Sequence, residues 1–301
     1  MKKILIVAIL SVLSFAMDYK LKPVQISQNV WQFVGNNNVI TKENGGNIAN
    51  SYWIKTRKSW IVVDTGPTYD YAKQSHDQMK KISDLPIKMV INTHKHDDHW
   101  VGNVYFKSLG VKIYATKLQD DEDDSKESNR IFNILHKDDL HNTELVKIDE
   151  FITKNQKMNI DGLELEFIML PYPGHTKEDV MIFMPSERVL FSGDLLFSER
   201  ITSIRDGSVE GSLKSLQLIE SLNPKVFANG HGKFTDMTAL KDMHKYLALL
   251  KESSLKAISS GLGIDDYAKT TDFVEFKSYP LYDIIHKENL YTAYKEYEFY
   301  E

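Results

Sequence analysis

Five short apolar runs in this chain each lead into a turn that carries an aspartate or a histidine. Ile61–Val63 leads to Asp64-Thr65-Gly66, Met89–Ile91 to Asn92-Thr93-His94, and Phe167–Leu170 to Pro173-Gly174-His175. Val189–Phe191 leads to Ser192-Gly193-Asp194, and Val226–Ala228 to Asn229-Gly230-His231. Runs this short, with no polar alternation, read as strands buried on both faces. Helical patterns lie between some of them, at Tyr69–Ile82 and at Trp100–Leu109, where Gly110 follows as a left-handed stop. Paired strands are expected over Asn50–Val63 and over Met158–Met169, with a hairpin turn at Asp161-Gly162. The pattern constrains the chain to a mixed α/β sheet fold with its polar groups gathered at strand ends, where sites form. Toward the C-terminus, Met237, Leu240, Met243, Leu247 and Leu250 give an amphipathic helix from about Asp236 to Ser259. A second helix is expected over Tyr282–Glu298. Both should mainly pack on the sheet, or else roof a pocket. The acidic stretch Gln119–Asp124 lacks calcium-loop spacing and reads as a solvated loop.

Composition narrows the chemistry. The 301 residues are 42% hydrophobic and 26% charged, which excludes disordered, collagen-like and membrane-spanning classes. A net charge of −5 argues against a nucleic-acid partner. There is no cysteine, which removes disulfides, thiol nucleophiles, iron–sulfur clusters and Cys-rich zinc modules. A transition metal would therefore have to be held by histidine and carboxylate. At the N-terminus, Lys2 and Lys3 precede the apolar run Ile4–Leu13 and then Ser14-Phe15-Ala16. This is the pattern of a secretory signal peptide over residues 1–16, cleaved after Ala16. The run is too short for a permanent membrane anchor. The expectation is an exported protein, periplasmic or secreted.

The segment His94-Lys95-His96-Asp97-Asp98-His99 is the densest concentration of ligand chemistry in the chain. If the segment stays extended at the strand end, His94 and His96 project to one side, while Asp98 and His99 lie further round and can face a second ion. Imidazole suits zinc, and a neighbouring carboxylate suits a metal that also holds water. His175, Asp194 and His231, in glycine-flanked turns, complete a two-metal centre. The other five histidines, His76, His136, His141, His244 and His286, read as surface or packing residues. Trp31, Trp53, Trp60 and Trp100 read as core, with Trp100 alone a candidate for the pocket mouth. The segments Asn36–Gly46 and Arg200–Gly211 are candidate substrate-contact loops, the first a possible flap.

These motifs together resemble the metallo-β-lactamase superfamily. The series Asp64-Thr65-Gly66, Thr93 to His99, Gly174-His175-Thr176, Ser192-Gly193-Asp194 and Gly230-His231-Gly232 follows the family order and spans about residues 24–235. The resemblance implies an α/β fold, a four-layer αβ/βα sandwich with two mixed β-sheets between helices. It would occupy 17–301 as one domain with a helical extension from about 236. It also implies two zinc ions per chain, one on His94, His96 and His175, the other on Asp98, His99 and His231, bridged by Asp194. Asp64 would orient groups beneath them. The implied reaction is attack of a metal-bound hydroxide on the carbonyl of a small ester, thioester, lactone or lactam, with Asp98 as the catalytic residue that orients the hydroxide and shuttles its proton. Histidine at 96 departs from the flavodiiron branch. Asp194 in the bridging position departs from the best-known zinc β-lactamases and is similar to glyoxalase II and the lactonases. A finer likeness, carried by Asp98 to Asn103 and by Asn289 to Glu298, is to exported hydrolases found near sulfur-oxidation and quinoprotein gene clusters. Three other readings compete with this one. They are a single-iron persulfide dioxygenase using the positions of His94, His175 and Asp194, a β-lactamase proper, and a non-catalytic zinc- or partner-binding protein.

Overall fold

A computed structural model of the protein describes residues 17–120 and 130–299. The expected signal peptide, and residues 121–124 of the acidic loop, lie outside the described residues. The first sheet has seven strands in chain order. They are β1 (Val24–Ser27), β2 (Val30–Phe33), β3 (Ser51–Lys55), β4 (Trp60–Val63), β5 (Ile87–Ile91), β6 (Lys112–Ala115) and β7 (Glu150–Phe151). Strands β1 to β4 form an antiparallel meander, and β4 to β7 run parallel. The second sheet has the order β12-β11-β10-β9-β8. Its strands are β8 (Gln156–Ile160), β9 (Leu163–Met169), β10 (Val180–Met184), β11 (Val189–Phe197) and β12 (Val226–His231), antiparallel except for β11 with β12. Both sheets are mixed, as the resemblance implies.

Side-chain alternation builds the layers. Ile61 and Val63 of β4 point to a core between the sheets, where they join Ile91, Phe167, Ile182, Val189 and Phe191. Trp60 and Val62, one residue out of phase, point the other way, into a core with Trp53, Tyr71, Met79 and Phe106. That outer core is closed by helices α1 (Tyr69–Ile82) and α3 (Asn103–Ser108). On the far side, Leu190 packs with Leu216 and Ile219 of α5 (Val209–Leu222) and with Leu240, Leu247 and Leu250 of α6 (Met237–Ser259). The resulting sequence of layers is helix, sheet, sheet, helix. Helices α7 (Ile264–Thr270) and α8 (Tyr282–Glu298) complete this last layer, Leu290 and Ala293 joining the same core. No described helix is long and apolar enough to cross a membrane.

Three local expectations are corrected. The Trp100–Leu109 helix is split into α2 (Asp97–Trp100) and α3, because Gly102 is wedged against the Thr65 carbonyl and donates to Gly66 O at 2.8 Å. Ser192 to Asp194 and Asn229 to His231 are not turns after strands but the irregular middle of β11 and the end of β12, where the register shifts around Gly193. Gln119, at the start of the expected solvated loop, is buried in a short 3₁₀ turn (Lys117–Asp120) and donates to Asn92 Oδ1 at 3.0 Å.

Candidate metal centre

The C-terminal ends of β5, β11 and β12 and the β9–β10 loop meet at one edge of the sandwich. Asn50 stitches that edge together, its Nδ2 donating to the Asn229 and Gly232 carbonyls at 2.8 and 2.6 Å. There the seven residues named above fall into two groups. His94, His96, His175 and Asp194 form one, and Asp98, His99 and His231 the other, the ligand-type atoms of each lying within 4.8 Å of one another. All seven are buried. The chain does not stay extended: it bends at His94 and Lys95, passes through an extended His96 and turns into α2 at Asp97, and Asp98 and His99 still fall in a different group from His94 and His96.

The hydrogen bonds fix the tautomer of every histidine. His99 Nδ1 donates to Asp64 Oδ2 at 2.8 Å, and His96 Nε2 to Asp206 Oδ2 at 2.8 Å. His175 Nδ1 donates to Ser203 O at 2.9 Å, and His231 Nδ1 to Ile48 O at 2.8 Å. Thr93 Oγ1 gives its proton to Asp64 Oδ2 at 2.8 Å and so accepts from His94 Nδ1 at 3.0 Å. Each outer nitrogen is the donor, because it faces a carbonyl, a carboxylate or, for His94, a hydroxyl whose proton is already given away. The inner nitrogen of the neutral ring is then a lone pair. The inner nitrogens of His94, His96 and His175 stand 3.1 and 2.9 Å apart. Lone pairs at that separation repel unless a cation sits among them. Between the groups, His99 Nε2 and Asp194 Oδ1, both buried, face each other at 3.2 Å without forming a hydrogen bond. This donor set fits metal ions, with the outer shell that metal-binding histidines require.

Asp194 stands between the groups. Its Oδ1 is 3.2 Å from His99 Nε2, and its Oδ2 is 3.2 Å from both His175 Nε2 and His231 Nε2. Burial opposes its ionisation, but His231, His99 and His175 outweigh burial and hold it well below the usual carboxylate range. Burial pushes His94 well below the ordinary imidazole range and His96 down to about 3, so both stay neutral. His99 runs the other way, raised against its burial by Asp194 and Asp64. Asp64, expected beneath the site, is indeed there. It adopts a left-handed φ of 57°, which lets one carboxylate serve the Thr93 amide, the Thr93 hydroxyl and His99.

Several participants carry no sequence signal. Arg130, from the short helix α4 (Arg130–Ile134), clamps Asp97 Oδ1 through Nε at 2.9 Å and also reaches Asp98 Oδ1. Burial resists ionisation of Asp98, yet Arg130 keeps its carboxyl well down. Asp206 and Ser203, which hold His96 and His175, lie in the loop expected to touch substrate. That loop also lends Arg200 and Arg205 to a cavity of about 350 Å³ over the two groups. The 36–46 segment contributes Asn38 and Ile40, and α8 roofs the cavity with Ile284, Ile285 and Glu288. Trp100 is core and does not line it; its Nε1 donates to Lys95 O at 2.7 Å. His76 and His286 are packing residues, and His136, His141 and His244 lie on the surface.

The model of the metallo-β-lactamase superfamily matches residues 44–231. The chain is 28% identical over 198 residues to the metallo-β-lactamase type 2 of Elizabethkingia meningoseptica, covering 64% of this chain and 72% of that protein. It is also 28% identical over 196 residues to the β-lactamase-like protein 2 homolog of Caenorhabditis elegans, spanning 58% of that protein's length and 64% of its own. Among solved structures, a metallo-β-lactamase from Pontibacter korlensis superposes with a TM-score of 0.61 at 20% identity, over 76% of this chain and 99% of that one. The FIM-1 metallo-β-lactamase of Pseudomonas aeruginosa in its mono-zinc form gives 0.57 at 19% identity, over 76% and 95%.

Proposed function

Since the chain belongs to the metallo-β-lactamase superfamily and is a metal-dependent hydrolase, we propose that it is an exported two-zinc enzyme that hydrolyses a small ester, thioester, lactone or lactam. One observation carries the reading. Five histidines have their outer nitrogens tied to oxygen acceptors and their inner lone pairs converging in two groups, with Asp194 between them. His94, His96 and His175 would hold one zinc, Asp98, His99 and His231 the other, and Asp194 both. Zinc there supplies Lewis acidity and brings the pKa of water toward neutrality.

The chain's own groups set the rest. Asp98, kept anionic by Arg130, is a fixed acceptor whose Oδ2 faces His231 Nε2 at 3.6 Å. In this reading Asp98 would orient the hydroxide and could shuttle its proton. Three guanidiniums and three carboxylates line the cavity; Arg130 and Arg205 are ion-paired with Asp97, Asp98 and Asp206, which leaves Arg200 to face a substrate carbonyl that develops negative charge. The cavity volume suits a small molecule. The N-terminal lysines and apolar run support export, and the likeness of Asp98–Asn103 and Asn289–Glu298 supports the sulfur-oxidation-associated branch. The 28% identity to a type 2 β-lactamase keeps lactams in the substrate class.

Metal analysis combined with a panel of chromogenic esters, thioesters, lactones and β-lactams tests the reading. About two zinc per chain is expected, with turnover lost on chelation and restored by zinc. Asp98→Ala should retain its fold and lose more than about a hundredfold in turnover, since even outer partners of metal ligands cost about 10–100-fold. One iron per chain with oxygen consumption on a persulfide, or unchanged turnover in Asp98→Ala, would overturn it.

A further inference from the structure

A second cavity, of about 420 Å³, lies behind the wall of the first, between the segment after β11 and the C-terminal helices. Phe197 and Arg200 line both cavities and form the partition. Arg200 is 8% exposed, yet no carboxylate lies within ion-pair distance of its guanidinium among the described residues. Its Nε has no hydrogen-bond partner. Its Nη1 points at His231 Nδ1 at 3.3 Å, but that nitrogen already donates to Ile48 O, so two donors face each other. Thr202, two residues on and 2% exposed, also lines the second cavity and leaves its hydroxyl unpartnered. A buried guanidinium without an acceptor is costly, and the cost disappears when an anion arrives.

The rest of the chamber is apolar at its closed end. Met243, Tyr246 and Phe276 are all buried and face the cavity, and Tyr246 OH is already engaged by Asn289 and His286. The acidic residues of the lining are accounted for. Glu199 pairs with Lys233 at 3.4 Å at the mouth, and Asp242 accepts from Tyr279 OH at 3.0 Å. The volume falls in the range of small-molecule sites. We propose that this second cavity binds an organic carboxylate with an apolar or aromatic body, its carboxylate on the Arg200 fork and Thr202 hydroxyl, its body against Met243, Tyr246 and Phe276. A planar guanidinium flanked by one hydroxyl matches a carboxylate in number and geometry of donors. The site does not depend on the hydrolase reading, since Met243, Tyr246 and Phe276 stand apart from the metal groups and only the partition residues Phe197 and Arg200 touch them.

Calorimetric titration of the zinc-loaded full chain with 4-phenylbutyrate, against 4-phenylbutyramide and phenylphosphonate, tests the proposal. The carboxylate should bind at least about tenfold more tightly than the amide, the expected worth of a charge-assisted hydrogen bond. Met243→Trp fills the closed end and should lose that binding by about tenfold or more, while keeping turnover of a small chromogenic ester. Arg200→Met should remove the preference for carboxylate over amide. Equal binding of acid and amide, tighter binding of the phosphonate, or 4-phenylbutyrate binding unchanged in Met243→Trp would overturn the proposal. The last result would place the ligand on the metal groups instead. Loss of hydrolysis with carboxylate binding intact would count against the proposed function alone.

Discussion

Asn289 connects the C-terminal helix to the metal groups, and its replacement tests that link. The residue is fully buried on α8. Its Oδ1 accepts from Ile204 N at 3.0 Å, and its Nδ2 donates to Thr202 O at 2.7 Å and Tyr246 OH at 3.0 Å. Between those two backbone anchors sits Ser203, whose carbonyl fixes His175, and three residues further lies Asp206, which fixes His96. Asn289→Leu keeps the volume and orphans the Ile204 amide and the Thr202 carbonyl. At about 1–3 kcal/mol for each buried group left unpaired, the expected loss is about 2–6 kcal/mol of stability. Tyr246 keeps His286 as a partner and adds little. The loop should also shift, loosening the outer contacts of two histidines, which predicts roughly 10–100-fold weaker zinc binding at that group. Urea unfolding measures the first effect and competition with a chromogenic chelator the second. Leu290→Ala, at an equally buried neighbour, is the control. It should cost a similar about 2–5 kcal/mol through its cavity, with zinc affinity unchanged. The reasoning is refuted if Asn289→Leu holds zinc within twofold of the parent protein, or if Leu290→Ala loosens zinc equally.

Gly230→Ala places a methyl group against Asp194 Oδ1 and the Gly193 carbonyl carbon, so it should displace the carboxylate shared by both groups. Zinc content below two per chain, with far-ultraviolet circular dichroism unchanged, is the expected result. His76 is buried, stacked on Trp53 and bonded through Nδ1 to Tyr105 OH at 2.7 Å. Burial lowers its pKa below the unfolded value of about 6.5, so the unfolded chain binds the extra proton and stability falls as pH drops through that value. His76→Phe should flatten the difference in urea midpoint between pH 7.5 and pH 5.5, and an unchanged difference would contradict the assignment.

The elements that could be read from sequence are those whose burial is written in apolar residues. Helix α1 runs over Tyr69–Ile82 as the spacing indicates, because Thr68 caps it with a side-chain bond to the Tyr71 amide and Ser83 returns to extended backbone. Helix α8 likewise keeps its expected limits. Helix α5 escaped notice because half of its buried face is Gly211, Ser212 and Ser215, which leaves too thin an apolar stripe to register as periodicity. The two strand segments read as turns show the opposite failure. Glycine beside a polar residue is a turn signal in most chains. Here Gly193, at a φ of 51°, lets β11 bulge and continue.

The same distinction divides the site. The histidines were legible because their spacing is local to one loop and three short motifs. Arg130, Arg200, Ser203, Asp206 and Asn289 were not, since each acts through a tertiary contact from 28 to 110 positions away or through an unpaired buried charge. A chain without cysteine has one carboxylate, Asp194, to serve both groups. That geometry holds only if the bulged middle of β11 approaches the end of β12, which glycine at 193 and 230 permits by leaving room for Thr93 and for Asp194 itself. The superfamily match ends at residue 231, yet the loop that orients two of the histidines is pinned by residue 289. The C-terminal helices are therefore part of what sets the metal groups, and truncation after α6 should cost zinc affinity even if the sandwich still folds.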